Sequence, residues 1–243
     1  MGLDLPGEAW LALGLFAASV ASGLAGFAFA LIASATALHF RDPVDATPLI
    51  LAGSLLAQCL TILAFRGHVK WDRVLPFVLC GLVGIPLGTW LLASVPADPL
   101  RQSIGAFLVA YAAYMLFRGQ PKPMNWGGKA ADGAVGFVGG VLGGLGGLSG
   151  ALPTLWAGLR GWSRDEQRAV YQPYIFVMQA AALGALWAQG AIGARAVADF
   201  AWCLPPIVLG AWLGLKLYGR VDDAQFRRIV LGLLLASGVV LIL

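Results

Sequence analysis

The chain has 243 residues, of which 59% are hydrophobic and 12% are charged, and its formal net charge is +4. Soluble domains carry about 25% charged residues, so this composition excludes a soluble globular protein and indicates an integral membrane protein. The positive charge does not require a nucleic-acid partner, because basic residues are expected in loops that face the cytoplasm.

Apolar segments long enough to cross a bilayer as helices, about 17 to 25 residues, follow one another along the chain. Six of them predict single transmembrane helices at residues 46–65, 74–95, 102–117, 169–189, 196–217 and 229–243. Two longer segments, 9–40 and 133–159, exceed one ordinary span and contain Gly and Ser near their middles. We predict that each of these two forms a broken helix. The N-terminus lacks the basic region of a signal peptide and is expected to be mature sequence.

The second long segment contains GGVLGGLGGLSGALP at residues 139–153, where seven of the fifteen residues are glycine. A phosphate-binding P-loop needs a lysine after its glycines, and none occurs between Lys129 and Lys216. A dinucleotide fingerprint needs a third glycine where this chain has Ser149. Both kinds of nucleotide loop are therefore excluded for this segment.

Short stretches of the first half of the chain recur in the second half. Residues 23–26 (GLAG) recur at 144–147 (GLGG), and residues 87–91 (LGTWL) recur at 209–213 (LGAWL), at offsets of 121 and 122. Such self-similarity predicts a tandem duplication. We place the first transmembrane repeat at residues 1–118, a cytoplasmic linker at 119–132 and the second repeat at 133–243.

The distribution of Lys and Arg distinguishes two topologies. If both long segments cross the membrane once, the 16 basic residues divide nine to seven between the two sides. If each long segment turns at its glycines and leaves by the side it entered, each half crosses three times, the second half is inverted, and the division becomes thirteen to three. The positive-inside rule favours the second topology, with both termini outside. Eight simple spans with parallel repeats remain the alternative. The thirteen residues placed in the cytoplasm are Arg66, Lys70, Arg73, Arg118, Lys122, Lys129, Arg160, Arg164, Arg168, Lys216, Arg220, Arg227 and Arg228, and the other three are Arg41, Arg101 and Arg195.

The predicted fold is an all-α integral membrane protein with two inverted repeats, each a re-entrant broken helix pair plus three transmembrane helices. Transporters of this architecture bind substrate near the midplane, where the repeats meet. Arms of about 13 to 15 residues reach roughly 20 Å into the membrane, so the two tips are expected to meet. The second arm of each pair starts with free N–H groups at the positive end of a helix dipole, which makes an anion site that needs no buried cation. Close helix packing is the alternative role for the glycines.

Two glutamines occupy equivalent positions, because adding the offset of 121 to Gln58 gives Gln179. An unpartnered amide in hydrocarbon costs several kcal/mol, so each glutamine either bonds another helix or donates its NH2 group to ligand oxygens. No charged residue lies at the centre of a span, and the ligand is therefore expected to be neutral or a weakly hydrated anion. The predicted substrate-binding residues are Ser22, Gly23, Gly26, Phe27, Gln58, Gly144, Gly146, Gly147, Ser149, Gly150, Tyr174 and Gln179, with Thr61, Tyr171 and Gln172 as weaker candidates.

No catalytic residue, metal site or cofactor is predicted. The three cysteines, Cys59, Cys80 and Cys203, match no metal or redox spacing and are expected to be buried packing thiols. His39 and His68 lie at segment edges without a nucleophile or an acid at a recognisable spacing. A membrane enzyme is thus disfavoured, and a structural membrane subunit remains a third class, one that would not need paired glutamines at midplane depth.

The glycine-rich tip followed by proline, together with the duplicated halves and the length, resembles the TauE/SafE family, also called the toluene sulfonate uptake permease family. The stretch GGLGGLSGALPTLW at residues 143–156 matches the Gly-Gly-Gly-x-x-x-Pro pattern of that family, whereas SGLAGFAFALIAS at 22–34 departs from it with Phe27 and Ile32. The resemblance implies export of sulfite, sulfoacetate or another organosulfonate across the bacterial inner membrane. Carboxylates and thiosulfate remain alternative substrates. The expected partners are this anion and the lipid bilayer, and a homodimer is left open.

Overall fold

The computed structural model describes residues 5–41, 43–65, 69–94, 97–118, 123–124 and 126–242. These residues form ten helices and no strand, which confirms the predicted all-α class. In chain order the helices are α1 (Leu5–Ala25), α2 (Phe29–Phe40), α3 (Pro43–Phe65), α4 (Trp71–Ser94), α5 (Ala97–Arg118), α6 (Gly128–Gly146), α7 (Ala151–Leu159), α8 (Arg164–Ala188), α9 (Ala194–Tyr218) and α10 (Asp223–Ile242).

Five stretches of the described helices are long and apolar enough to cross a membrane. They are Gly7–Ala25, Asp45–Leu63, Trp71–Leu91, Arg164–Ala188 and Ala194–Tyr218. Four of them lie in α3, α4, α8 and α9, which occupy four of the six predicted single spans. The fifth lies in α1, where the sequence predicted only a short arm.

Both long segments are broken at their glycines, as predicted. The first break separates α1 from α2 at residues 26–28, and the second separates α6 from α7 at residues 147–150. Gly26 has φ +85° and Gly147 has φ +74°, a left-handed conformation that only glycine adopts without strain. The predicted arm length of about 13 to 15 residues was wrong, because the arms have 21 and 12 residues in the first pair and 19 and 9 in the second.

The two arms of each broken pair run back along one another. In the first pair, a side chain on Gly14 of α1 would collide with Thr36 of α2. In the second pair, the Trp156 indole N–H of α7 donates to Asp132 Oδ1 of α6 at 2.7 Å, and Gly143 faces Ser149. Each pair is therefore a helical hairpin. We call residues 26–28 tip 1 and residues 147–150 tip 2.

The hairpins pack against long helices of the opposite half of the chain. Helix α1 lies along α9, α6 lies along α4, α3 contacts α8 and α5 contacts α10. If α1–α5 are exchanged in order with α6–α10, the α1–α9 pair becomes the α6–α4 pair, and the α3–α8 and α5–α10 pairs are unchanged. This correspondence supports the hypothesis of duplicated halves, whose inverted orientation stays a prediction.

The α4–α6 contact is a seam of glycines. A Cβ atom on Gly140 would collide with the carbonyl oxygen of Gly81, and one on Gly84 would collide with the carbonyl oxygen of Phe137. The backbones of the two helices therefore touch, as in other membrane helix pairs with small residues at their interface. Packing accounts for these glycines without a ligand.

The predicted linker and thiols are placed only in part. Helix α6 begins at Gly128, so residues 128–132 of the predicted linker are helical, while residues 119–122 and 125, like Arg66 and His68, lie outside the described residues. Cys203 is buried as expected, but Cys80 is only half-buried and Cys59 is exposed, so the prediction of three buried thiols was wrong. Cys80 Sγ lies against Gly133 of α6, whereas Cys59 is on the outer face of the apolar helix α3, where a small apolar side chain is accommodated.

Candidate functional site

The two hairpin tips meet inside the protein. A Cβ atom on Gly150 of tip 2 would lie 3.0 Å from Cβ of Phe27 in tip 1, and one on Gly147 would lie 3.7 Å from Cβ of Ala30. Phe27 and Ser149 are both buried. The meeting of the tips that the sequence predicted is therefore present, and it brings Gly26, Phe27, Gly147, Ser149 and Gly150 into one region.

The two glutamines related by the offset of 121 make equivalent contacts. Gln58 Nε2 donates to the carbonyl oxygen of Gly26 at 2.7 Å, and Gln179 Nε2 donates to that of Gly147 at 3.0 Å. Both side chains are buried, and both acceptors are the left-handed glycines at which the hairpins turn. Each amide carries a second N–H. Each glutamine uses one N–H to hold its tip. Only the second N–H of each is available for the predicted hydrogen bond to a ligand.

Tip 1 is anchored by a polar network from α3 and α8. Gln172 Nε2 donates to Thr61 Oγ1 at 3.0 Å and to Gln58 Oε1 at 3.4 Å, and the Tyr171 hydroxyl donates to the carbonyl oxygen of Ala25. The three weaker sequence candidates thus all lie beside tip 1. Tyr174 does not join them, because its hydroxyl donates to the carbonyl oxygen of Gly136 on α6 at 2.8 Å.

A known family model matches the chain over a range that includes both hairpins and both tips. The family model described as sulfite exporter TauE/SafE matches residues 10–241 of the chain. The chain belongs to the TauE/SafE family. This confirms the resemblance drawn from the glycine-rich tip, and it makes the protein a transporter of sulfite or a related sulfur anion rather than an enzyme. No curated protein and no solved structure matches the chain.

In this TauE/SafE protein a buried arginine caps the end of α1. Arg168 is fully buried, and its Nη1 donates to the carbonyl oxygens of Gly23 at 3.0 Å and Leu24 at 3.1 Å. Its guanidinium lies 4.3 Å from the centre of the Tyr218 ring, and its Nε donates to Gln172 Oε1 at 3.3 Å. The C-terminal end of a helix carries partial negative charge, so the cation stabilises the last turn of α1 just before tip 1.

The sequence pattern did not predict this role for Arg168. Its predicted position in a loop was wrong, because Arg168 lies in α8 and is fully buried. The available signal was the spacing of Arg164, Arg168 and Gln172, which recur every four residues and therefore lie on one face of α8. A basic face on a helix otherwise packed on apolar neighbours indicates a polar pathway rather than a loop.

Tip 2 is held by fewer contacts and retains unused polar groups. Ser149 Oγ and Gln179 Oε1 are buried and have no hydrogen-bond partner among the described residues, and Ser22 Oγ near tip 1 is in the same state. Gly150 precedes α7, whose N-terminus has no side-chain cap. Buried polar atoms left unsatisfied cost about 1–3 kcal/mol each, so this cluster indicates a place for a polar ligand.

Two predicted glycines, Gly23 and Gly144, lie away from the contact between the tips. A Cβ atom on Gly23 would lie 2.7 Å from the carbonyl oxygen of Ala211 in α9, and one on Gly144 would lie 2.5 Å from that of Ile85 in α4. Gly146 is the last residue of α6. Gly23 and Gly144 thus belong to helix seams, and packing explains them better than ligand contact.

Ion pairs fix the far ends of both hairpins. Arg41, which follows α2, donates through Nε and Nη2 to both carboxylate oxygens of Asp199 in α9, at 2.5 and 2.9 Å. Arg160, which follows α7, lies 3.5 Å from Asp132 Oδ1 in α6. The hydrogen bond to Asp199 raises the pKa of Arg41, so the guanidinium keeps its charge at neutral pH. These ion pairs therefore fix the hairpin ends that lie opposite the tips.

Proposed function

We propose that this TauE/SafE protein exports sulfite, sulfoacetate or another organosulfonate across the bacterial inner membrane by alternating access. The observation that carries the proposal is the pair of equivalent bonds from Gln58 to Gly26 and from Gln179 to Gly147. A structural subunit needs no such pair, whereas a transporter built from two related halves needs matching gates at a shared midplane site.

The proposed anion site lies at tip 2. It combines the Ser149 hydroxyl, the second N–H of Gln179 and the N-terminus of α7. In that first turn Ala151 N–H and Thr154 N–H are already bonded and Pro153 has no N–H, so the N–H of Leu152 and the helix dipole would attract the anion. A sulfite or sulfonate group presents three acceptor oxygens to these donors. No proton has to be transferred at this site, because a sulfonate stays ionised at neutral pH.

The two tips are proposed to differ in mobility. Each tip glycine accepts one side-chain hydrogen bond, Gly26 from Gln58 and Gly147 from Gln179. The end of α1 that leads into tip 1 is bound in addition by Tyr171 and Arg168, and these extra bonds support the proposed difference. The tips touch in this structure, so an anion can pass only when they separate. We expect tip 2 to move and tip 1 to remain in place while the inverted halves rock about the site.

The test of this function is anion flux through the purified protein in liposomes. We expect loaded proteoliposomes to release sulfite or an organosulfonate faster than protein-free liposomes, and sulfate, which is doubly charged and strongly hydrated, to be released no faster. Carboxylates and thiosulfate belong in the same panel as the alternative substrates. Flux of carboxylates alone would contradict the assignment to sulfur anions, and no flux of any anion would contradict transport.

The predicted membrane orientation of α9 can be tested with cysteines at its two ends. In a background with Cys59, Cys80 and Cys203 replaced by alanine, Gln189→Cys lies before α9 and Arg220→Cys lies after it, and both positions are exposed. In intact cells, a membrane-impermeant maleimide is expected to label Gln189→Cys and to spare Arg220→Cys. The reverse pattern would place the thirteen basic residues outside and contradict the predicted topology.

A further inference from the structure

The surroundings of the two tip glycines can be compared position by position, because the offset of 121 that relates Gly26 to Gly147 also applies to their neighbours. A Cβ atom on Gly26 would lie 3.2 Å from Nε2 of Gln172, and one on Gly147 would lie 3.4 Å from Cδ2 of Leu51. Leu51 is the residue that the offset pairs with Gln172. The fold therefore brings paired positions beside the two tips, and one carries an amide where the other carries a hydrocarbon side chain.

A second difference lies three residues after each glutamine that holds a tip. Thr61 follows Gln58 on α3, and the paired residue Ala182 follows Gln179 on α8. Thr61 Oγ1 accepts a hydrogen bond from Gln172 Nε2 at 3.0 Å, whereas alanine has no polar side-chain atom. Thr61 and Ala182 are both buried. The polar network around Gln58 thus has no counterpart at these two positions around Gln179.

The difference decides how completely each glutamine side chain is bonded. Gln58 Oε1 accepts from Gln172 Nε2 at 3.4 Å, while Gln58 Nε2 holds tip 1. Gln179 Oε1 is buried and has no hydrogen-bond partner among the residues that the structure describes. A buried acceptor without a donor is rare in folded proteins. Here Leu51 and Ala182 occupy the positions from which the polar network would reach Gln179.

The bonds at both ends of a side chain determine what happens when a tip moves. Gln58 is held by Gln172, whose Oε1 accepts from Arg168 Nε at 3.3 Å, so tip 1 cannot move without breaking a connected network. The one side-chain hydrogen bond of Gln179 among the described residues is the bond to Gly147 itself. Tip 2 can therefore move either by breaking that single bond or by carrying the Gln179 amide with it.

We propose that Leu51 and Ala182 are positioning residues that make tip 2 the tip that opens. They act through Gln179, because they leave it without the second anchor that Gln172 and Thr61 give to Gln58. The inference rests on the proposed function and deepens it, since it assigns the difference in mobility between the tips to two side chains.

The experiment gives tip 2 the polar residues of tip 1, by combining Leu51→Gln with Ala182→Thr. In the background that lacks the three native cysteines, Ser149→Cys reports on tip 2, and Ala28→Cys, at the position paired with it by the offset of 121, reports on tip 1. Ala28 and Ser149 are both fully buried, so either thiol reacts only when its tip opens. The rate of reaction with membrane-permeant methyl methanethiosulfonate is measured on the full chain in liposomes.

Two further variants complete the experiment. Leu63→Gln is the control, because it makes the same change on the exposed face of α3. Gln172→Leu is the reverse change, because it gives tip 1 the residue found beside tip 2. Thermal unfolding of each variant shows whether it has folded.

We expect Ser149→Cys to react about tenfold faster than Ala28→Cys, and the combined Leu51→Gln and Ala182→Thr changes to slow Ser149→Cys about tenfold, since one buried hydrogen bond alters an equilibrium by about that factor. Ala28→Cys keeps its rate in that variant, and Leu63→Gln alters neither rate. Gln172→Leu speeds the reaction of Ala28→Cys, and this result decides the question if the combined variant does not fold.

Three results would each overturn the proposal. They are equal rates at the two tips, an unchanged Ser149→Cys rate in a combined variant that folds, and an unchanged Ala28→Cys rate in Gln172→Leu. Failure of the proposed function is a separate result, because the labelling needs no anion and is measured whether or not the protein transports one.

Discussion

Replacing Gln179 with leucine is expected to reduce anion flux about tenfold or more, equivalent to about 1.4 kcal/mol, with only a small fall in the temperature of thermal unfolding. The Gly147 carbonyl loses its partner, but the unpartnered Gln179 Oε1 is removed with it. Among the described residues, the Gln179 side chain makes one hydrogen bond, to the carbonyl oxygen of Gly147 at 3.0 Å, and its Nε2 would lie 3.8 Å from a Cβ atom on Gly147. Leucine keeps most of the volume and removes both N–H groups, so the variant isolates the polar contribution. Flux is measured in liposomes and unfolding in detergent.

Gln58→Leu is the matched variant in the first half of the chain. We expect it to lower the unfolding temperature more, and anion flux less, than Gln179→Leu does. Gln58 bonds the carbonyl oxygen of Gly26 and also accepts from Gln172, which in turn bonds Thr61. Its loss leaves several buried polar atoms with fewer partners, each costing about 1–3 kcal/mol. The unfolding temperature should therefore fall further for Gln58→Leu than for Gln179→Leu.

The control for both variants is Gln189→Leu, which changes an exposed glutamine at the end of α8 and should alter neither quantity. If both buried variants transport at the native rate, the glutamines are interhelical packing groups and the tips are not gated by them. If the two variants lose flux and stability equally, the proposed difference between an anchored tip 1 and a movable tip 2 is wrong.

The features that follow from local sequence could be predicted. Hydropathy located the helices because a span needs a fixed length of apolar residues, and glycine runs located both breaks because only glycine accepts φ +85° at Gly26 and +74° at Gly147 without strain. The internal offset paired Gln58 with Gln179 before any contact was known. Each of these signals lies within one segment or in a comparison of two segments.

Features that depend on tertiary packing could not be predicted in this way. The inward direction of Arg168 depends on the end of α1, which lies more than 140 residues earlier in the chain, and charge counting treats every basic residue as a loop residue. The lengths of the hairpin arms depend on where α6 begins, at Gly128 in a stretch that composition marks as a linker. The roles of Gly23 and Gly144 depend on which helix lies opposite them.

The second large expected effect is a loss of stability in Gly140→Ala, which lies in the seam of glycines between α4 and α6. A methyl group on Gly140 would collide with the backbone carbonyl of Gly81, and backbone atoms cannot rotate away as a side chain can. Overpacking of this kind costs about 1–3 kcal/mol and sometimes more, and we expect the upper end of that range. The measurement is the unfolding temperature and the yield of folded protein.

Gly144→Ala distinguishes the two roles that the sequence left open for the glycine-rich segment. Its methyl group would lie 2.5 Å from the carbonyl oxygen of Ile85, so a packing role predicts a lowered unfolding temperature with an unchanged KM in the protein that remains folded. A ligand role predicts a normal unfolding temperature with a raised KM. Gly184→Ala, where nothing lies within 4 Å of the added methyl group, is the control and should be as stable as the native chain or slightly more so, because alanine favours the helix. We expect Gly144→Ala to follow the packing pattern, which would confine the anion site to the residues of tip 2 beyond the end of α6.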